Sequence, residues 1–374
     1  MNSKERVLMA LNHEQTDRVP MDLGGRQTTL MIPAYEAIKK HLGYENLPTK
    51  VMSHIWQTAY IDEAILTHYD IDTRHIRPKN KAFNPDKPFK DEEVFTDPWG
   101  VQRKISGGYA NLCGYPLQKA TIEDIENYNW PDPEVQFDYT GLKDHAKKLY
   151  DQGEYALVGC IGSPCNSFEQ AWYLRGLSEF MLDMAMNKDI VHALMRKVVD
   201  HRKRTVELYL NEVGEYLDVI QMADDLGTQK TTLMSPASYR ELIKPYQAEL
   251  IEHIRKFTKA KVYHHSCGAI TGIMDDLREI GIEILNPVQI TAEGMQTDNL
   301  KKRFGDKFTF WGAIDTFEVL PKGTPADVAK EVKRVIGDLA PGGGYVLGSI
   351  HNIQFDVTAE NIDAMFTSAK ACTI

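Results

Sequence analysis

Lys261-Val262-Tyr263-His264-His265-Ser266-Cys267-Gly268 is a β-branched and aromatic run that ends in ligating side chains, turns at a glycine and gives way to an amphipathic segment. Side chains alternate along a strand, so His265 and Cys267 fall on one side and His264 and Ser266 on the other. An apolar strand, a polar end, a tight turn and a helix together make one unit of a parallel α/β protein. Runs of the same character occur at 18–23, 71–76, 156–161, 218–222, 283–286, 308–312 and 345–347. With 261–265 they number eight, the count that closes a (β/α)8 TIM barrel.

Between the strands the spacing predicts helices over 178–210, 237–257, 326–339 and 359–371. Pro236 and Pro325 sit at helix starts, and Thr358 is placed to cap the last one. The stretch 80–133 has no helical period and carries Asp97-Pro98-Trp99-Gly100, Gly107-Gly108-Tyr109 and Asn129-Trp130-Pro131. These clusters predict a hairpin-bearing excursion between the second and third strands, covering one end of the barrel. With no repeat, low-complexity tract or linker in the chain, residues 1–374 are expected to form a single elaborated barrel domain.

The 374 residues are 43% hydrophobic and 26% charged, which excludes disorder and fibre. Neither an export signal nor an apolar run long enough to span a bilayer is visible, so the expectation is a cytoplasmic protein without a membrane partner. Forty-three basic against 53 acidic residues give a net charge of −10, without a basic stripe to attract nucleic acid. Five cysteines, Cys113, Cys160, Cys165, Cys267 and Cys372, are odd in number and fit free thiols or ligands better than a disulfide framework.

In a barrel the chemistry gathers where strands end. His265 and Cys267, with His351 beyond the last strand, offer two imidazoles and a thiolate, the donor set of a catalytic zinc with an open position, and His351 has the alternative role of a substrate contact. Asp224 and Asp225 follow the fourth strand and are the candidate catalytic residues, as a general acid or as a fourth metal ligand. Arg26, Asn286, Gln289, Trp311 and Asp315 occupy the same rim and are the candidate substrate contacts, Arg26 for an anionic group. Dinucleotide-binding, phosphate-loop and serine-nucleophile motifs are absent from the sequence, which argues against hydride transfer, nucleotide hydrolysis and serine hydrolase chemistry.

Asp17-Arg18-Val19-Pro20, His265-Ser266-Cys267-Gly268, Phe310-Trp311-Gly312-Ala313-Ile314-Asp315 and His351-Asn352-Ile353 together resemble the uroporphyrinogen decarboxylase superfamily over nearly the whole chain. The resemblance implies a (β/α)8 barrel and one of two chemistries. Cofactor-free decarboxylases of that superfamily carry Arg-Gln-Ala-Gly-Arg after the first strand, whereas here Gly24-Gly25-Arg26-Gln27-Thr28-Thr29 keeps a single arginine. The other branch, which includes the methylcobamide:coenzyme M methyltransferases, binds zinc through His-x-Cys-Gly and a later cysteine. His265-Ser266-Cys267-Gly268 matches the first half, and Ile350-His351-Asn352 stands in the cysteine's place.

The resemblance therefore implies a zinc-dependent methyltransferase that moves a methyl group between a small methylated substrate (a methoxy compound, methylamine or thiol) and a corrinoid protein. That protein would bring the methyl-corrinoid, and a homodimer is common in the superfamily. Alternatives are a metal-free lyase of tetrapyrrole metabolism and a non-catalytic binding protein on the same barrel.

Overall fold

Seven parallel strands follow one another in chain order around a single curled sheet in the computed structural model, which describes residues 1–87, 90–161 and 166–373. They are Thr73–Ile76, Ala156–Gly159, Val219–Ala223, Lys261–His265, Ile284–Asn286, Thr309–Ile314 and Tyr345–Ser349. The segment expected as the first strand closes the ring. Leu347 N donates to Pro20 O at 2.8 Å and Asp22 N to Leu347 O at 2.9 Å on one side, while Asp72 N donates to Met21 O at 2.9 Å on the other. The fold is the expected (β/α)8 barrel, but its first strand is reduced to a seam with the single parallel bridge Met21–Leu347. Two residues explain why: Pro20 has no N–H to give a ladder, and Met21 N donates to the Asp72 carboxylate at 2.8 Å instead of to a carbonyl.

Val158, Val219, Tyr263, Ile284, Trp311 and Val346 fill the barrel interior. The helix Ser3–Leu11, started by a reciprocal cap between Asn2 and Glu5, adds Val7 and Leu11 to the same cluster and plugs the amino-terminal end of the barrel. The opposite end, where the strands finish, is left for the site.

Two expected helices are each divided. The span 178–210 becomes Leu177–Met186 and Lys188–Val213, interrupted at Asn187. The span 237–257 becomes Pro236–Leu242 and Lys244–Ile254, because Pro245 in the first turn of the second piece cannot donate back into the first. Pro325–Leu339 and Ala359–Ala371 form as expected, the latter with Thr358 accepting from Asn361 N. Among the described residues no helix is long and apolar enough to cross a membrane. Cys113, Cys160, Cys267 and Cys372 are free, and Cys165 lies outside the described residues.

The excursion is a three-stranded antiparallel sheet, Val94–Thr96, Gln102–Ser106 and Tyr109–Gly114, with short helices behind it. Trp99 anchors it to the helix Lys188–Val213, its ring 4.4 Å from that of His201 and under the Arg202 guanidinium at 4.7 Å. Burial, helped by Arg202, pushes the His201 pKa down to about 3. An unfolded chain protonates this imidazole near pH 6.5, so between about 6.5 and 3 the unfolded state binds more protons and stability falls with falling pH. Urea unfolding at pH 6.5 and pH 4 is expected to show His201→Gln losing about 2–3 kcal/mol less than the native protein over that interval. Equal losses would refute the assignment.

Candidate active site

Ala223, His265 and Asn286 are in register on three adjacent strands at the carboxyl end of the barrel. Asn286 is wholly buried, and its amide sets the histidine. Asn286 Nδ2 donates to the Trp311 carbonyl at 2.9 Å, which turns Oδ1 toward His265, and Oδ1 accepts from His265 Nδ1 at 2.5 Å. The ring proton therefore sits on Nδ1. The Nε2 lone pair is left to face Cys267 Sγ at 3.5 Å and Asp225 Oδ1 at 3.8 Å.

The turn that carries Cys267 is held by main-chain donors on every side. Ser266 N donates to Asn286 O at 2.7 Å, Cys267 N to Asp225 Oδ1 at 2.8 Å, and Gly268 N to Gln289 Oε1 at 2.7 Å. Ser266 Oγ accepts from Leu226 N at 2.9 Å, tying this loop to the one after the neighbouring strand. Gly268 has φ +89°, and a Cβ there would lie 2.4 Å from the carbonyl carbon of Gly227, so a side chain at this position forces the two loops apart.

One carboxylate oxygen of Asp225, a ring nitrogen of His265 and Cys267 Sγ all lie within 4.8 Å of one another. Burial pushes the His265 pKa down to about 4 against the bond to Asn286, so the ring is neutral at physiological pH. The Cys267 thiol is pushed well up by burial, then by the neighbouring Asp225 and Glu169 carboxyls, and burial also raises Asp225. Each of the three binds a divalent cation in its deprotonated form, and pairing with positive charge offsets the desolvation that disfavours a lone thiolate or carboxylate. The donor set therefore fits a metal. His351 stands beside the cluster and outside it, with its ring 5.5 Å from that of His265 and 5.4 Å from Trp56. Burial, with His265 adding to it, pushes its pKa down to about 4.

Asp225, His265, His351 and Arg26 share one cavity with Trp56, Trp99, Glu169 and Tyr173. Arg26 makes no hydrogen bond or ion pair with any described residue, and burial lowers its pKa. The other rim candidates do not line this cavity. Asp224 accepts from the main-chain nitrogens of Ser167, Phe168 and Glu169 and from Gln247 Nε2, capping the helix Phe168–Arg175 from the buried side. Asp315 accepts from the nitrogens of Phe317, Glu318 and Val319. Trp311 points into the barrel and donates to Asp22 Oδ2 at 3.0 Å, while Gln289 holds Gly268 and Asn286 holds His265. All four side chains offered as substrate contacts beside Arg26 are thus committed to holding loops and ligands.

Sequence reasoning missed Glu169 and Tyr173. Tyr173 OH donates to Glu169 Oε1 at 2.8 Å, and burial together with Asp225 and Asp224 raises the Glu169 pKa to about 8. Both lie on the first turns of a helix whose apolar spacing gives no sign of which face meets the cavity.

A family model described as uroporphyrinogen decarboxylase (URO-D) matches residues 109–372. Curated relatives include a uroporphyrinogen decarboxylase of Pseudoalteromonas atlantica, 23% identical over 381 residues and covering 96% of this chain and 95% of its own. Another, from Actinobacillus succinogenes, is 24% identical over 383 residues and covers 98% of each chain. Among solved structures, a methyltransferase from Methanosarcina mazei superposes with a TM-score of 0.65 over 99% of both chains, at 19% identity. That likeness is one of fold.

Proposed function

The chain belongs to the uroporphyrinogen decarboxylase family, and from that premise we propose that it is a zinc-dependent methyltransferase, moving a methyl group between a small methylated substrate and a corrinoid protein. The observation that carries this reading is the convergence of Asp225, His265 and Cys267 within 4.8 Å at the mouth of the barrel. These three would hold zinc, with His351 as the neighbouring candidate for a fourth ligand or a substrate contact. Zinc bound there supplies a Lewis acid that stabilises a thiolate or polarises the heteroatom bearing the methyl group.

The chain's own residues do the rest. Asn286 fixes the His265 tautomer, Cys267 N–H orients Asp225, and Trp56 and Trp99 supply apolar wall to the cavity. The methyl-corrinoid would be brought by its own carrier protein, docked over the strand ends.

Elemental analysis of protein purified without chelator tests the reading. Close to one zinc per chain, with methyl transfer to the corrinoid carrier that is lost on zinc removal, is the expected result. Zinc near zero after incubation with the metal would overturn it. Asn286→Ala, which frees His265 to turn and to lose its tautomer, is expected to weaken zinc binding about 10–100-fold in competition with a chromogenic chelator. Unchanged affinity would show that Asn286 does not support the ligand.

The second reading, a metal-free lyase of tetrapyrrole metabolism, draws on the names of the curated relatives and on Arg26-Gln27. Against it, Thr28 Oγ donates to Asp22 and Thr29 Oγ to the Ala59 carbonyl, so this segment offers the cavity one arginine where the decarboxylase motif has two.

A further inference from the structure

A second cavity, of about 590 Å³, lies beyond the ends of the strands Thr73–Ile76 and Ala156–Gly159, beside the cavity of Asp225 and His265. Separate segments bring cations to it. Lys50 comes from the approach to the hairpin of Val51–Ser53 and Thr58–Ala59, Arg77 directly follows a barrel strand, and Lys79 and Lys81 come from the short antiparallel pair of Lys79–Asn80 with Phe137–Asp138. The three ammonium groups make no ion pair or hydrogen bond with any described residue. Asp138 is the carboxylate among the described lining residues, and it already accepts from Thr140 N at 3.0 Å. In a chain of net charge −10, three lysines without counter-charges around one cavity are a local reversal of sign.

The kind of cation selects the kind of anion. Arg77 Nη2 donates to the Gly24 carbonyl at 2.6 Å, Nη1 meets Met52 Sδ, and the guanidinium lies over the Tyr60 ring at 5.7 Å, so its planar fork is occupied within the fold. Such a fork is what recognises a carboxylate through two parallel bonds. An ammonium is a point charge with three rotatable donors, and three of them suit a tetrahedral dianion whose oxygens point in several directions. Much of the remaining wall is apolar, with Ile55, Phe83 and Pro85 joining Met52 and Tyr60. The volume lies within the range of small-molecule sites, about 300–1,000 Å³. A phosphate at one end and an apolar, ring-bearing body at the other satisfy both halves of this wall.

We propose that the second cavity binds a phosphate monoester of an apolar, ring-bearing compound, with the phosphate on Lys50, Lys79 and Lys81 and the ring against Tyr60 and Phe83. The site requires neither a metal nor the methyl-transfer reading, since Asp225, His265 and Cys267 are not among its lining residues. Ile55, Asn80 and Phe83 wall both cavities, so an occupant here touches side chains that the candidate active site also uses.

Titration calorimetry of the full chain tests the proposal at about pH 7.5, where a phosphomonoester is mostly dianionic. The protein is first dialysed against chelator, which keeps phosphate off any metal. Phenyl phosphate is expected to bind about tenfold or more tighter than inorganic phosphate, which has no ring to bury, and than benzoate, which lacks the second charge and the tetrahedral oxygens. Changing the exposed pair together, Lys79→Gln with Lys81→Gln, should weaken phenyl phosphate about tenfold or more while the urea midpoint stays at the native value. Affinity should also fall as salt is added. Absence of phenyl phosphate binding, equal binding of benzoate or inorganic phosphate, or full affinity in the lysine variant each overturns the proposal. So does a larger loss in Arg26→Met than in the lysine variant, because that result would put the anion in the cavity of Asp225 and His265.

Discussion

Cys267→Ser is expected to purify with little zinc and to lose about 10³-fold or more in kcat/KM for methyl transfer, while unfolding in urea at nearly the native midpoint. The effect is large because the donor lost is the softest of the three and a serine hydroxyl stays protonated where a zinc-bound thiol does not. The fold survives because nothing in the turn depends on Sγ. Cys267 N still donates to Asp225, Ser266 Oγ still accepts from Leu226 N, and Gly268 still packs on Gly227. Zinc by elemental analysis and a denaturation curve, measured on one preparation, separate loss of metal from loss of structure. Native zinc content in this variant would remove Cys267 from the site. His351→Ala sharpens the test, since unchanged zinc with weaker substrate binding makes His351 a substrate contact.

The barrel was legible because eight apolar runs are bounded by turn residues and several of them are followed by a helical period, signals that local sequence carries. The strand at 18–23 shows the limit: its backbone donors are settled by Asp72, a residue from another unit, and by the imino nitrogen of Pro20. The site divides in the same way. Position at a strand end singles out His265, Cys267, Asp225, His351 and Arg26, which lie together at the mouth. It could not separate them from Asp224, Asn286, Gln289, Trp311 and Asp315, which occupy equivalent places but spend their polar atoms on neighbouring loops. Which role a rim residue takes depends on the donor that the next loop presents.

Asp72→Ala is expected to destabilise the protein by about 3–5 kcal/mol. Its carboxylate is wholly buried and accepts from Arg6 Nη1 at 2.6 Å, from Arg18 Nη1 at 2.7 Å and from Met21 N at 2.8 Å. Removing it leaves the Arg18 guanidinium, 15% exposed, with only the carbonyls of Val19 and Asp70 and no charge partner, and leaves a buried main-chain donor unpaired in the seam that closes the barrel. Arg6 suffers less, because Asp17 still holds it through Nε at 2.6 Å and Nη2 at 3.0 Å. Asp72→Asn should fall between the two, since an amide oxygen can still accept from Met21 N but carries no charge to balance Arg18. Guanidinium unfolding measures both variants. A loss below about 1 kcal/mol for the alanine would mean that the seam is held by its backbone bonds to Leu347 and to the main chain of residue 72, and that the arginines reach water once the carboxylate is gone.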